Sequence, residues 1–175
     1  MSLEQKVSES IRDIVDFPKK GIVFKDITPV LKDSSLSSSI VSELSSKCPP
    51  NTTQIAGIES RGFLFGLPIA LDCEIPFVLI RKKGKLPYKT ASLEYDLEYG
   101  SAEIEMHLDS VSKGDKVIIH DDLLATGGTA LAAAKLIESQ GAEVIGFSFV
   151  VELSDLNGRS LLKDYSTNIK SIVKY

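Results

Sequence analysis

The sequence predicts an α/β fold, a parallel sheet with helices on its faces. Three observations predict it. Short apolar runs at 54–58, 77–80, 116–119 and 144–151 read as buried strands. Longer segments of helical character stand between them, at 63–71 and 129–139. The two kinds alternate, as strands joined by crossover helices do.

The elements follow in order. Residues 34–47 are rich in serine, but Leu36, Ile40, Val41 and Leu44 recur at helical spacing. An amphipathic helix with a serine outer face is expected there. Pro49-Pro50-Asn51 ends it. The first strand, 54–58, leads to the helix at 63–71, and the second strand follows at 77–80. The third strand, 116–119, precedes the helix at 129–139, and a turn at Gly141 opens the fourth. Residues 88–106 fit the alternation poorly. They are polar, rich in Tyr and Glu, and read as a mobile hairpin or lid.

A chain of 175 residues suits a single domain, 1–175, with one core. Hydrophobic residues make up 43% and charged residues 25%, which argues against disorder. With a net charge of −4, no global basic field draws the chain to nucleic acid or anionic lipid. Any bound anion must be held by local groups. Cys48 and Cys73 lack metal-ligand spacing and are too few for a disulfide framework. The opening MSLEQKVSES has no apolar core of signal-peptide length, and no apolar run is long enough to span a bilayer. A cytoplasmic location with reduced thiols is expected, with no membrane partner.

The chemistry concentrates between Val117 and Thr129. A buried strand delivers Asp121 and Asp122, a loop of Ala125, Thr126, Gly127 and Gly128 follows, and a helix opens at Thr129. Paired glycines let backbone N–H groups turn inward, and the helix start adds free donors and partial positive charge. This suits a phosphate dianion. Neither a Gly-x-x-x-x-Gly-Lys-Ser/Thr loop nor a Gly-x-Gly-x-x-Gly fingerprint is present. The acidic pair needs donors, and the vicinal hydroxyls of a ribose supply two. The unit therefore reads as a ribose 5-phosphate site. The alternative is an acidic pair that only caps a tight turn, with glycines serving packing.

The wording Asp-Asp-Leu-Leu-Ala-Thr-Gly-Gly-Thr resembles the ribosyl-phosphate signature of the type I phosphoribosyltransferases, in particular of the branch that acts on adenine. The likeness runs from about residue 16 to 161. It includes Phe-Lys-Asp-Ile-Thr-Pro-Val-Leu (24–31), Glu-Ser-Arg-Gly-Phe-Leu-Phe-Gly (59–66), Ile-Arg-Lys-Lys-Gly-Lys-Leu-Pro (80–87), Leu-Glu-Tyr-Gly (97–100) and Val-Glu-Leu (151–153). The resemblance implies a Rossmann-like parallel sheet with a small hood built from about 1–33 and 150–175, and a mobile catalytic loop at about 86–103. It implies the Mg²⁺-dependent reaction of adenine with phosphoribosyl pyrophosphate (PRPP) to give AMP and pyrophosphate. It also implies a homodimer.

Further roles come from the same likeness. Arg61, Arg81 and Lys85 are assigned to pyrophosphate, Arg81 or Lys85 reaching it across the dimer interface, and a non-proline cis peptide is expected at Glu59-Ser60. Read alone, Arg61 is equally an exposed charge near a helix start, and Lys82 and Lys83 are expected to face water. Mg²⁺ is expected to be held by substrate and water oxygens, with no protein cage. Glu98 is assigned the purine proton, Tyr99 loop closure and Gly100 the hinge. The pattern alone cannot select Glu98 from Glu94, Asp96, Glu103 and Glu105, most of which must be solvated. Val23, Phe24, Lys25 and Leu153 are assigned to adenine, with ordinary core as the alternative for the apolar three. Lys25 stands where arginine is common, and His120 replaces an apolar residue. His120 reads as structural. A PRPP-binding regulator and a non-enzymatic interaction domain are the competing classes. The acidic balance counts against the first, and the second leaves the motifs coincidental.

Overall fold

A computed structural model of the chain describes residues 1–97 and 100–175. The elements run α1 (Leu3–Ser10), β1 (Arg12–Val15), β2 (Val23–Asp26), α2 (Thr28–Leu31), α3 (Ser34–Ser46), β3 (Gln54–Ile58) and α4 (Gly62–Asp72). Then come β4 (Phe77–Lys82), β5 (Thr90–Leu97), β6 (Gly100–His107), β7 (Lys116–Leu124), α5 (Gly128–Ser139) and β8 (Glu143–Glu152). A 3-10 turn at Ser154–Leu156, α6 (Gly158–Leu162) and β9 (Ile169–Lys174) complete the chain.

Seven strands form the main sheet in the order β5-β6-β4-β3-β7-β8-β9. The pairs from β4 through β9 are parallel, while β6 joins β4 and β5 joins β6 antiparallel. All five residues of β3 are buried, because helices cover both faces of a parallel sheet. On one face Ile55, Ile118 and Val150 pack with Phe65 and Ile69 of α4 and with Leu36, Ile40 and Leu44 of α3. The serines of α3 leave that apolar stripe as its inner face, and Asp33 caps it by accepting from the Leu36 N–H at 2.9 Å. On the other face the alanines of α5 lie against Val117, Ile119 and Phe147, with the β5–β6 hairpin beside them. Small side chains let this helix approach the sheet closely.

Within the segment 88–106, β5 and β6 pair antiparallel, the hairpin pairing expected there, and join the sheet edge through β4. One expectation is corrected. The third strand does not stop at 119. It runs to Leu124, because the parallel ladder with β8 continues through Asp121↔Phe149 to Leu124↔Glu152. The acidic pair thus lies within a strand rather than after one. Glu105 is not solvated. It is 4% exposed and accepts from the Lys85 and Leu86 N–H groups, both at 2.9 Å.

The two ends of the chain meet. β1 and β2 form a separate antiparallel ribbon, and β9 adds to the main sheet beside β8. The C-terminal Tyr175 hydroxyl lies 3.2 Å from Ser8 Oγ, and its ring carries the Lys25 ammonium at 3.8 Å.

Candidate active site

β3 and β7 are neighbours, yet the helices that follow them go to opposite faces of the sheet. Their carboxyl ends therefore open a crevice, the place where open α/β sheets bind ligands. A cavity of about 340 Å³ lies there, lined by Glu59, Ser60 and Arg61 from the β3 side, Arg81 from β4, and Asp121 and Asp122 from β7. The Glu59-Ser60 peptide is cis, as the motif predicts. A smaller cavity of about 90 Å³ shares Asp121 and Thr129 and is lined mainly by the loop Leu124 to Gly128, with Leu123 and Ala130.

Asp122 is buried and pairs with Arg61 Nε at 2.7 Å. Asp121 Oδ1 accepts from the Asp122 N–H at 2.8 Å. Burial pushes the Asp121 carboxyl well above the usual aspartate range, and the neighbouring Asp122 charge adds to it. Burial also raises Asp122, although Arg61 opposes the shift. One guanidinium thus stands against two adjacent carboxylates and pairs with only one of them, which leaves a surplus of negative charge at the crevice. A ligand with two adjacent hydroxyls meets that surplus.

Beyond them, Gly127 takes the left-handed conformation at φ +84° and caps α5 without a side-chain hydrogen bond. The first-turn N–H groups of a helix have no intrahelical partners and carry partial positive charge. The Thr129 hydroxyl lies 3.2 Å from the Tyr95 hydroxyl, which joins the β5–β6 hairpin to this helix start. The structure thus brings together Asp121, Asp122 and the 125–129 loop as one surface.

The basic groups divide. Arg81 Nε and Nη2 donate to Glu59 at 3.2 and 3.3 Å, and its Nη1 donates to the Lys85 carbonyl at 3.2 Å. Burial pushes Glu59 up, but the Lys82 backbone N–H and Arg81 outweigh it and hold the carboxyl below its ordinary range. Lys85 does not line the cavity, whereas Lys82 does, exposed though it is. Lys83 pairs with Glu103 at 2.7 Å on the outside. Glu105 holds the turn that carries Lys85 through two backbone donors.

The hood segment meets the crevice through Phe24, whose ring centre lies 5.3 Å from the Arg61 guanidinium carbon. Phe17 stacks edge-on against the same ring at 5.3 Å. Val23 is 46% exposed and so is not core. Lys25 is held by Asp13 at 2.8 Å. Leu153 is half-buried, and its N–H donates to the Leu124 carbonyl at 2.9 Å, where the 125–129 loop begins.

His120 is fully buried beneath the acidic pair, with Nδ1 2.8 Å from Ser148 Oγ on the next strand. Burial lowers its pKa to about 3. It is a neutral strand-to-strand tie. Glu98 and Tyr99 lie outside the described residues. Among the described residues, no cluster of three or more His, Cys, Asp or Glu could hold a metal ion, and no helix is long and apolar enough to cross a membrane.

Sequence reasoning gave no role to Glu59, Tyr95, Glu105 or Ser148. Only Tyr95 left a signal. Ala91, Leu93 and Tyr95 alternate along β5 and face the core around α5.

The strand-end crevice carries a glycine loop and an acidic pair, and residues 31–174 match the phosphoribosyl transferase domain family, a class of transferases. An adenine phosphoribosyltransferase of Cytophaga hutchinsonii is 52% identical over 174 residues, 99% of this chain and 96% of that one. The crystal structure of adenine phosphoribosyltransferase from Thermoanaerobacter pseudethanolicus has a TM-score of 0.94 at 48% identity, covering 99% of this chain and 100% of that one. The enzyme from Trypanosoma brucei, in complex with AMP, pyrophosphate and ribose-5-phosphate, has a TM-score of 0.89 at 25% identity, covering 99% and 80%. The chain therefore belongs to the phosphoribosyltransferase family, in its adenine phosphoribosyltransferase branch.

Proposed function

We propose that this chain joins adenine to PRPP, forming AMP and releasing pyrophosphate. One observation carries the site assignment. Two adjacent carboxylates, Asp122 buried and Asp121 half-buried, share one guanidinium beside a small glycine-lined cavity at the sheet's switch point. On this reading Asp121 and Asp122 hold the ribose hydroxyls, and Ala125, Thr126, Gly127, Gly128 and Thr129 hold the 5′-phosphate. Arg61 and Arg81 take the departing pyrophosphate. Lys85 lies outside its own chain's cavity, which supports reach into a partner's site. Val23, Phe24, Lys25 and Leu153 receive the base, Phe24 and Leu153 by apolar contact.

The bond from the ribose anomeric carbon to the pyrophosphate oxygen breaks as adenine N9 bonds to that carbon. The carbon becomes oxocarbenium-like, so positioning and charge stabilisation dominate. The purine ring proton leaves to Glu98, and Tyr99 closes the loop. Glu98→Gln is expected to lower kcat by about a hundredfold. Wild-type turnover in a single-turnover assay would remove that role.

Mg²⁺ belongs to the same proposal. Asp121 and Asp122 present hard oxygens that suit it through water, while Glu59 is already engaged by Arg81. When bound, the ion neutralises charge on the pyrophosphate oxygens. A homodimer and a cytoplasmic location are also proposed. Leu64, Leu67 and Leu71 form one exposed stripe of α4, and Leu79 of β4 is exposed as well. Sedimentation velocity tests the dimer.

A panel of purine bases with PRPP and Mg²⁺ tests the activity. AMP from adenine, with guanine and hypoxanthine far weaker, is expected. Equal use of a 6-oxopurine would overturn the base assignment. Binding of PRPP without turnover of any base would favour a regulator.

A further inference from the structure

We infer that Gly158 and Arg159, outside the phosphate loop, are positioning residues that fix the loop's shape and so set affinity for the substrate's 5′-phosphate. The inference rests on the assignment of residues 125–129 to that phosphate.

Gly158 is buried against the loop, backbone on backbone. A Cβ added to it would run into the Ala125 carbonyl oxygen and stand 2.9 Å from both Gly127 N and the Thr126 carbonyl carbon. From the other side, a Cβ on Gly127 would stand 2.8 Å from the Gly158 carbonyl oxygen. Backbone atoms cannot swing aside as a flexible side chain can. Three consecutive residues of the loop therefore sit where Gly158 lets them. Gly158 does not line the loop's cavity, so its part is to shape the loop and not to touch the ligand.

Arg159 holds Gly158 in place. Its Nε donates to Glu152 Oε1 at 2.8 Å, its Nη2 donates to Oε2 of the same carboxylate, and its Nη1 donates to the Ile169 carbonyl at 2.9 Å. Glu152 is 4% exposed and ends β8, paired in register with Leu124, the last residue of β7. The contacts close a ring: the end of β7, the loop, Gly158, Arg159, Glu152 and back to Leu124. Such a ring fixes the direction of the loop's N–H groups before any phosphate arrives, which is how a pre-formed anion site gains affinity.

The 5′-phosphate is common to PRPP and AMP and absent from adenine. Loss of loop shape should therefore weaken both nucleotide ligands together and spare the base. General loosening of the fold would not make that distinction. Gly158→Ala and Arg159→Lys are compared with wild type by steady-state kinetics, AMP calorimetry and thermal unfolding. A lysine keeps the charge but cannot make the fork to Glu152 together with the Ile169 bond. Gly158→Ala is expected to raise the KM for PRPP and the Kd for AMP on the order of tenfold. Arg159→Lys should do the same by a smaller factor, with the KM for adenine and kcat within about twofold of wild type. An unchanged KM for PRPP in both variants overturns the inference, and so does a parallel rise in both KM values. If Gly158→Ala does not fold, Arg159→Lys decides by the same measures. Thr126→Val with Thr129→Val, inside the loop, separates the two layers. If that pair leaves the KM for PRPP unchanged, the phosphate assignment fails. If it raises the KM while the Gly158 and Arg159 variants do not, only this inference fails.

Discussion

Two guanidinium–carboxylate pairs line the same cavity, and they are balanced differently. Arg81 meets a single carboxylate, Glu59, which also accepts from the Lys82 N–H at 2.9 Å. That carboxyl sits below its ordinary pKa range despite its burial. Arg61 meets Asp122, which has Asp121 beside it, and both aspartates are pushed up, first of all by burial. The first pair is complete in the ligand-free chain. The second has one cation for two carboxylates. The difference separates a balanced pair, in which Glu59 is the frame for Arg81, from an acidic pair with charge to spare. Glu59 holds the Arg81 guanidinium in place at the crevice, and the acidic pair carries a surplus charge that donors from a ligand can meet.

The largest test of this contrast is Asp121→Asn. It keeps the oxygen that accepts from the Asp122 N–H and removes the surplus charge. We expect kcat/KM to fall about a hundredfold, because a charged acceptor for a ribose hydroxyl is lost. Stability should move the other way, up by about 1 to 2 kcal/mol at neutral pH. Asp121 has a raised pKa in the fold, so its ionisation costs stability at high pH. The gain from asparagine should therefore vanish below the ordinary aspartate range, near about pH 4. Denaturant titrations at two pH values check this. A variant that is fully active, or no more stable, would collapse the contrast.

His120 explains why the shortage is not filled from within. It is a buried base next to the acidic pair, yet it remains neutral down to about pH 3. The unfolded chain takes up this proton below about pH 6.5, and the folded chain cannot. Its contribution is fully present above that pH and is lost as the pH falls toward 3. The loss amounts to on the order of 5 kcal/mol. Replacing both partners, His120→Val with Ser148→Ala, removes the hydrogen-bonded pair together and should leave neutral-pH stability nearly unchanged. Unfolding midpoints between pH 7 and 4 should then decline less steeply than in wild type. Equal slopes would mean that His120 carries no part of the acid sensitivity.

The smallest effect is expected at the satisfied pair. Glu59→Gln should cost roughly 1 kcal/mol of stability, since the pair is partly open to water and glutamine can still accept from the Lys82 N–H. The KM for PRPP should change only a few-fold. An effect as large as that of Asp121→Asn would place Glu59 in the reaction and not in the frame.

How much of this was legible beforehand depended on whether the signal was local. β3 and α3 could be read because burial on both faces gives an unbroken apolar run, and burial on one face gives a spaced stripe. The phosphate loop was legible because strand, acidic pair, glycines and helix start are consecutive. The end of β7 was not. Two aspartates look like the end of a strand unless the ladder from β8 is known. The β1–β2 ribbon and β9 were missed because their short, half-exposed strands owe their pairing to partners that local pattern does not reveal. The two ion pairs join residues 61 with 122 and 59 with 81, and no spacing rule announces such contacts. The roles of Glu98 and Tyr99 rest on family likeness alone.

The contact between the Tyr95 and Thr129 hydroxyls has one more consequence. Each hydroxyl has a single proton to give and lone pairs with which to accept. In the ligand-free chain either may be the donor. A phosphate in the loop accepts only, so it draws the Thr129 proton toward itself. Tyr95 must then be the one that gives, and the hydrogen bond acquires a direction, from hairpin to helix start to ligand. Filling the loop would turn a reversible handshake between two hydroxyls into a one-way chain of donors, with β5 of the hairpin as its first link.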